Sequence, residues 1–210
     1  NGITYYIAFD NYWNSSEFDF DLSETALTCP STFPLTEDFD SANQFYGCYT
    51  VEDNDGDCDA WVQKTLKLDL SSSYFNTFAQ SLTSGSSQNN WLFSPPLTLV
   101  NGTDYVINFK FNGANGTNPA DESLEVVLID AAASTGNVLK SLYIDTNIVQ
   151  TGTLAQLETM ATAPSINYTS TASGTYYLGF HITSPSNAAS LFLFDYDITF
   201  TAGVGDFEKN

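Results

Sequence analysis

Short stretches of alternating apolar and polar residues, separated by turns rich in Gly, Asn, Ser and Pro, constrain the fold of this chain most strongly. The stretch YVINFKF at 105–111 is typical, because its apolar residues recur at every second position, the repeat of a half-buried β-strand. Comparable stretches occur at 123–129, 176–181 and 191–200. No segment keeps a helical repeat for long, and LAQLETMA at 154–161 is the best short helix candidate. The pattern predicts an all-β antiparallel sandwich.

The ends of the chain and two inner segments depart from this series. Residues 1–28 are interpreted as the last hairpin of a preceding β domain or as strands added to the next one, and residues 201–210 as a linker. The main domain then covers 29–200. Within it, 71–90 is predicted to be a long Ser-rich loop. The double proline in 91–100 favours a sheet edge or a strand entry, because Pro cannot donate a ladder hydrogen bond.

Charge excludes several classes of partner. The chain of 210 residues has 25 acidic residues, only five cations, all of them Lys, and a net charge of −20. Nucleic acids are excluded as partners, because their phosphates need Lys and Arg, and an anionic membrane surface is disfavoured for the same reason. The sequence contains no run of about 18 apolar residues, so no membrane span is predicted. A composition poor in Lys and rich in acids, Asn, Ser, Thr and Gly favours a secreted protein or one at the cell surface.

A set of short motifs carries a resemblance to a known family. In chain order they are PLTEDFD (34–40), YTVEDNDGD (49–57) with Trp61, NNWLFSPPLTL (89–99), YVINFKF (105–111), ESLEVVLID (122–130), GTYYLGFHITS (174–184) and FDYDITF (194–200). The chain resembles the choice-of-anchor J or cleaved-adhesin domain of secreted bacterial proteins. That group is similar to the haemagglutinin modules of gingipains and, more distantly, to MAM domains. The resemblance covers about residues 33–200.

The resemblance implies a jelly-roll β-sandwich with structural Ca²⁺. It also implies that Trp61 and Trp91 are core residues, which leaves Tyr12 and Trp13, in a turn-rich loop, as candidate ligand-binding residues. The final GVGDFEKN (203–210) resembles the lead-in to a type IX secretion sorting domain, in a protein of a Bacteroidetes-like cell.

Two acidic clusters are candidate Ca²⁺ sites, since Ca²⁺ takes six to eight oxygen ligands. The first combines residues near the two ends of the domain: Glu37, Asp38, Asp40, Asp195 and Asp197. The resemblance implies an ion joining these ends, with Glu37, Asp38 and either Asp195 or Asp197 as ligands. Alternate residues of a strand face opposite sides, so Glu37 faces away from Asp38 unless the strand is bulged. The alternative is an acidic strand edge that discourages edge-to-edge pairing.

The second cluster surrounds Gly56 and contains four residues: Asp53, Asp55, Asp57 and Asp59. It resembles a calcium loop but is not an EF-hand, because counting Gly56 as position six places valines at positions one and twelve. The alternative is a tight Asn-Asp-Gly turn whose acids are solvated.

The three cysteines leave their pairing open. The spacing of Cys48 and Cys58 would allow a disulfide around the acidic turn, as is common outside the cell. Cys29 is then left over, and the alternative is that all three thiols are free. No cysteine pattern predicts a zinc site.

The sequence contains no GxSxG, HExxH or Cys–His motif, and a carboxylate pair for glycoside hydrolysis among the 25 acids is the one catalytic alternative left open. His181 is the only histidine and is predicted to be a packed residue in a strand, not a general base. Together with the absence of such motifs, the resemblance implies a non-catalytic, calcium-stabilised secreted adhesion module that binds a neutral glycan or a surface protein. The alternative is a spacer for a larger secreted enzyme, a peptidase or glycoside hydrolase, whose upstream domains would be its partners.

Overall fold

A computed structural model describes residues 27–58, 60–66, 76–82, 87–113, 122–153, 156–186 and 190–201, and most of these lie in antiparallel strands. The strands are β1 (Leu35–Glu37), β2 (Thr50–Asp53), β3 (Trp61–Leu66), β4 (Asn76–Leu82), β5 (Asn90–Phe93), β6 (Leu97–Leu99), β7 (Asp104–Gly113), β8 (Glu122–Ile129), β9 (Val138–Ile148), β10 (Ser165–Thr169), β11 (Gly174–Ile182) and β12 (Ser190–Thr201). One helix of the described part, α1 (Ala42–Cys48), lies between β1 and β2.

Some predictions concern residues outside this range. Tyr12, Trp13 and Asp59 are not among the described residues. The same holds for almost all of the predicted N-terminal hairpin and for the C-terminal linker.

The strands form two sheets. Sheet A has the order β10-β7-β12-β4-β3, with β1 also pairing with β12, and sheet B has the order β2-β5-β11-β8-β9, with β6 also pairing with β11. All of these pairings are antiparallel. The predicted all-β antiparallel jelly-roll sandwich is confirmed.

Alternate residues of both sheets fill one core between them. In β7, Ile107, Phe109 and Phe111 point inward and are at most 2% exposed, which is the two-residue repeat read from the sequence. Trp61 belongs to this core and is 2% exposed, as the resemblance implies. Trp91 is 8% exposed but lies in a separate cluster on the outer face of sheet B, with Phe93, Val127 and Ile129, so the core role that the resemblance implies is wrong for Trp91. Burial of the large side chains between the sheets drives their association.

Two local predictions are wrong. The predicted Ser-rich loop contains β4, which pairs with β3 and β12, because cross-strand partners outweigh its weak local β-propensity. Of the helix predicted over 154–161, residues 154 and 155 lie outside the described residues, and 157–160 form turns.

The double proline lies where a strand begins, which is one of its two predicted positions. Pro95 and Pro96 directly precede β6, so the predicted strand entry is confirmed. The other alternative, a sheet edge, does not hold for β5, because β5 lies between β2 and β11.

The helix of the described residues lies instead at α1. Its N-cap is Ser41, whose Oγ accepts a hydrogen bond from the backbone N–H of Gln44 at 3.2 Å. This capping arrangement satisfies one of the unpaired amides of the first turn.

The described residues cover only part of the outer face of sheet A. A β-bulge in β12, between Leu193 and Asp195, changes which residues point outward. Before it, Phe192 and Phe194 are buried under Leu157. After it, the outward-facing residues are Asp195 and Asp197, both half-exposed. The segment around Leu157 therefore covers an apolar area and stops where the strand becomes polar.

Candidate functional site

The acidic loop after β2 brings three carboxylates together. One ligand oxygen from each of Asp53, Asp55 and Asp57 lies within 4.8 Å of the others. Among the described residues this is the single group of three or more Asp, Glu, His or Cys side chains that does so. Like charges this close repel each other strongly unless a proton or a cation lies between them.

Backbone amides hold these carboxylates in place. Asp53 accepts hydrogen bonds from the N–H of Gly56 at 2.7 Å and of Cys58 at 2.9 Å. Asp55 accepts one from the N–H of Asn89 at 2.6 Å. Gly56 has φ +73°, and glycine adopts this left-handed conformation without steric cost. The loop is therefore built to present carboxylate oxygens at the surface.

The pKa values of Asp53 and Asp55 are shifted in opposite directions. Loss of hydration acts to raise the pKa of Asp53, yet that pKa lies below its usual value because the Gly56 and Cys58 amides donate to the carboxylate. The pKa of Asp55 is raised by loss of hydration and by the neighbouring Asp53 and Asp57, against the lowering effect of the Asn89 amide. A cation bound between these carboxyl groups would act to lower their pKa values, because an opposite charge favours the ionised form.

The donor set of this loop fits a hard cation. Its ligands are carboxylate oxygens, which Ca²⁺ prefers and which suit Zn²⁺ less well. Three side chains supply at most six oxygens, so backbone carbonyls or water would complete the shell. The fourth predicted ligand, Asp59, lies outside the described residues.

Glu37, predicted as a ligand of the first cluster, is buried in the core. Its Oε1 accepts the Phe39 N–H at 2.6 Å, and its Oε2 accepts the Tyr49 hydroxyl at 2.9 Å. The Tyr49 and Tyr196 hydroxyls are 2.6 Å apart. Burial raises the pKa of Glu37, although the Tyr49 and Phe39 hydrogen bonds act to lower it. Burial also raises the pKa of Tyr49 far above its ordinary range.

The other four residues of the first acidic cluster do not all lie together. Asp38, Asp195 and Asp197 line one groove of about 520 Å³ on the outer face of sheet A. Asp40 is not part of the groove lining. Phe39 has a left-handed φ of +57°, so the strand alternation predicted to place Asp38 and Asp40 on one face ends there. The predicted opposition of Glu37 and Asp38 is confirmed.

Two carboxylates of this groove already have protein partners. Lys110 donates to Asp195 at 2.7 Å, and the Asn108 side-chain amide donates to Asp197 at 2.8 Å. Sequence reasoning missed Lys110 and Asn108. The alternation in β7 indicates that both point outward, but only the register with β12 places them opposite these acids.

The predicted disulfide is wrong. Cys48 is bonded to Cys29, and Cys58 is an exposed free thiol. Cys48 ends α1, whereas Cys58 follows the four-residue strand β2 and its loop. A strand of this length separates its ends by about 13 Å, so Cys58 is carried away from Cys48.

His181 is packed, as predicted. Its ring stacks on Trp91 with centroids 3.8 Å apart, and its Nε2 lies 2.9 Å from the Asn89 side-chain oxygen. Burial lowers the pKa of His181, although Glu125 acts to raise it. The arrangement gives it a role in packing the outer face of sheet B.

Comparison with solved structures identifies the same architecture. The K1 cleaved adhesin domain of Lys-gingipain from Porphyromonas gingivalis W83 is 16% identical, with a TM-score of 0.59, over 81% of this chain and 100% of that domain. The K3 domain from the same strain is 17% identical, with a TM-score of 0.57, over 79% and 96%. The K2 domain is 17% identical, with a TM-score of 0.55, over 80% and 99%.

Sequence-level comparisons give no match, either to protein-family models or to curated proteins. In the described part of the chain, no helix has the length and apolar character needed to cross a membrane. The resemblance to cleaved adhesin domains is therefore a similarity of fold.

Proposed function

We propose that this chain is a non-catalytic, calcium-stabilised binding module of a secreted or cell-surface protein, and that it attaches to a neutral glycan or a surface protein. The proposal of a calcium site rests on one observation: one carboxylate oxygen from each of Asp53, Asp55 and Asp57 lies within 4.8 Å of the other two. The similarity in fold to cleaved adhesin domains supports the binding part. The Cys29–Cys48 disulfide supports an oxidising, extracellular location.

The metal has a structural role in this proposal. The acidic loop connects β2 to β3, and so runs from sheet B to sheet A. A cation on Asp53, Asp55 and Asp57 would cancel their mutual repulsion and fix this connection at the end of the sandwich. Glu37 has no part in this site, because its carboxylate oxygens bind core donors.

Thermal unfolding tests the calcium proposal. With Ca²⁺ at a hundred times its Kd, binding adds about 2.7 kcal/mol, which corresponds to a rise in Tm of about 5–10 °C for a domain of this size. Asp53→Asn combined with Asp55→Asn removes this rise. The matched control, Asp145→Asn on β9, keeps it. An equal Tm in Ca²⁺ and in chelator contradicts the calcium proposal.

Adhesion is tested separately. The wild-type module should bind members of a neutral glycan array or an immobilised surface protein, and Trp13→Ala should reduce that binding. Tyr46→Ala removes another aromatic ring, 64% exposed on α1, and serves as the comparison. Binding that neither substitution changes would contradict the assignment of Trp13. No binding to any of these surfaces would favour the spacer function and contradict adhesion.

A further inference from the structure

Exposed apolar side chains are concentrated at one edge of sheet B. Strand β9 pairs with β8 along one side, and none of the described strands lies along its other side. Val138, Leu139 and Ile144 of this strand are 51%, 42% and 62% exposed, and Val149, which directly follows it, is 45% exposed. Backbone groups without ladder partners, next to apolar side chains, make such an edge a template for a further strand.

A bulge in the middle of β9 sets which of its side chains face the core. Tyr143 lies opposite Val126 and Ser141 lies opposite Val127, so Leu142 is an extra residue between the two pairs. Both Leu142 and Tyr143 pack against the core between the sheets. Two consecutive inward side chains therefore interrupt the ordinary alternation of the strand.

The residues on either side of this bulge are arranged symmetrically. Ser141 and Ile144 point to the outer face, because Ser141 donates a hydrogen bond to Glu125 at 3.2 Å and Ile144 lies directly opposite Glu125. Lys140 and Asp145 point to the inner face, since each lies opposite a core residue of β8. From position 140 onward, the side chains therefore point inward, outward, inward, inward, outward and inward, an order that is the same in both directions.

This order fits antiparallel pairing with a second copy of the same strand. Residues directly opposite each other in an antiparallel pair share a face of the sheet. With the two-fold axis between Leu142 and Tyr143, every inward position meets an inward position, and every outward position meets an outward one. A shift of the register by one or two residues breaks this agreement. The bulge therefore defines one register.

The same register brings opposite charges together. Lys140 and Asp145 are the two charged residues of β9, and Lys140 of one copy lies opposite Asp145 of the other. The two-fold symmetry makes this pair occur twice. Lys140 is exposed and has no ion pair with any residue that the structure describes. Opposite charges directly across a strand pair favour that pairing, and like charges oppose it.

We propose that β9 is a self-association surface, through which two copies of this chain pair as an antiparallel, two-fold symmetric dimer. Ladder hydrogen bonds and the covering of apolar side chains stabilise the dimer, and the two exposed ion pairs mainly select its register. The net charge of −20 on each copy opposes association. The inference goes beyond the proposed function and does not depend on the acidic loop. A dimer would present two binding modules to one surface.

Sedimentation equilibrium in about 0.15 M NaCl, which screens the repulsion between the copies, measures the dimer. The Cys58→Ser background removes the exposed free thiol, so that no intermolecular disulfide forms there. Lys140→Asp and Asp145→Lys each place like charges opposite each other and should weaken dimerisation about tenfold or more. Asp145→Lys is the sharper of the two, because it lowers the net negative charge and would strengthen a dimer limited by general repulsion.

Two further variants complete the set. The double variant, Lys140→Asp with Asp145→Lys, exchanges the two charges and should restore the dimerisation constant to within about threefold of its original value. Lys64→Asp, on β3 of sheet A, changes the net charge as Lys140→Asp does and should leave the dimer unchanged. Hydrogen exchange of the β9 amides should slow as the protein concentration rises.

Other outcomes overturn the inference. A chain that stays monomeric at about 1 mM has no such surface. A dimer that both charge reversals leave unchanged, or that the double variant fails to restore, uses another surface or register. Slow exchange of every β9 amide in the monomer would mean that another part of the chain covers this edge. Binding to a glycan or surface protein by a chain that stays monomeric would contradict this inference and leave the proposed function intact.

Discussion

Two acidic segments near the start of the domain differ in how the negative charge of their carboxylates is compensated. Glu37 is 5% exposed, and its charge is met by the Phe39 amide and the Tyr49 hydroxyl. Asp53 and Asp55 lie at the surface and face other carboxylates. Each carboxylate oxygen of Glu37 therefore accepts a hydrogen bond from the protein, whereas the second segment brings three carboxylates together.

The acidic residues of this chain therefore form more than one kind of site. The Glu37 network joins β1, the end of α1 and β12 inside the core, where an external cation has no access to it. The Asp53 loop uses its backbone amides to orient carboxylates outward. The first is a structural network, and the second has the geometry of an ion site. The predictions below test this division.

The disulfide gives the largest expected difference between the two segments. Cys29→Ser opens a bond that spans 19 residues and holds the helix next to the Glu37 network. Loss of a cross-link of this span costs about 3 kcal/mol in the chain-entropy treatment. Cys58→Ser, in the acidic loop, should change the free energy of unfolding by less than about 0.5 kcal/mol. Urea unfolding of both variants measures this, and a larger effect at Cys58 would contradict the assigned pairing.

Loss of the Tyr49 hydroxyl should have a smaller effect. Tyr49→Phe removes the group that contacts both Glu37 and Tyr196 and leaves buried polar atoms without that partner. The expected cost is about 1–3 kcal/mol in urea unfolding. Tyr46→Phe removes a hydroxyl from a residue that is 64% exposed, and should change stability by less than about 0.5 kcal/mol. Equal effects would mean that the network contributes nothing beyond the packing of its rings.

The fold could be predicted from the sequence because its signal is local. The two-residue repeat in β7 and β12 needs only neighbouring residues, and burial on one face follows from it. Where local signal is weak, prediction failed. Strand β4 lies within a Ser-rich segment and pairs with β12, which is distant in sequence, and the one side-chain cap of α1 is Ser41.

The sites could be predicted less completely, because they depend on register. The sequence indicates that Asp195 and Asp197 share a face, and they do. It cannot indicate that Lys110 lies opposite Asp195, or that a left-handed Phe39 separates Asp38 from Asp40. The acidic loop was found because its members are close in sequence. The Glu37–Tyr49–Tyr196 network was missed because it joins three separate elements.

The pH dependence of the unfolding free energy is expected to show the smallest effect. The sign of this dependence should differ between Glu37 and Asp53. Burial raises the folded-state pKa of Glu37 above its ordinary value of 4.5. The folded protein therefore holds that proton more tightly than the unfolded chain, and the stabilising contribution falls as pH rises from about 4.5 towards 7. The difference in unfolding free energy between wild type and Glu37→Gln should be larger at pH 4.5 than at pH 7.

Asp53 should behave in the opposite way. Its folded-state pKa lies below the ordinary value of 3.8, so its contribution is present above pH 3.8 and is lost as pH falls below that value. In chelator, the difference between wild type and Asp53→Asn should therefore shrink below about pH 4 and stay constant from pH 5 to 7, where the Glu37 difference changes. Urea unfolding at closely spaced pH values measures both differences. Slopes of the same sign would contradict the division between Glu37 and Asp53, because burial sets the direction of the pKa shift at Glu37 and the Gly56 and Cys58 amides set it at Asp53.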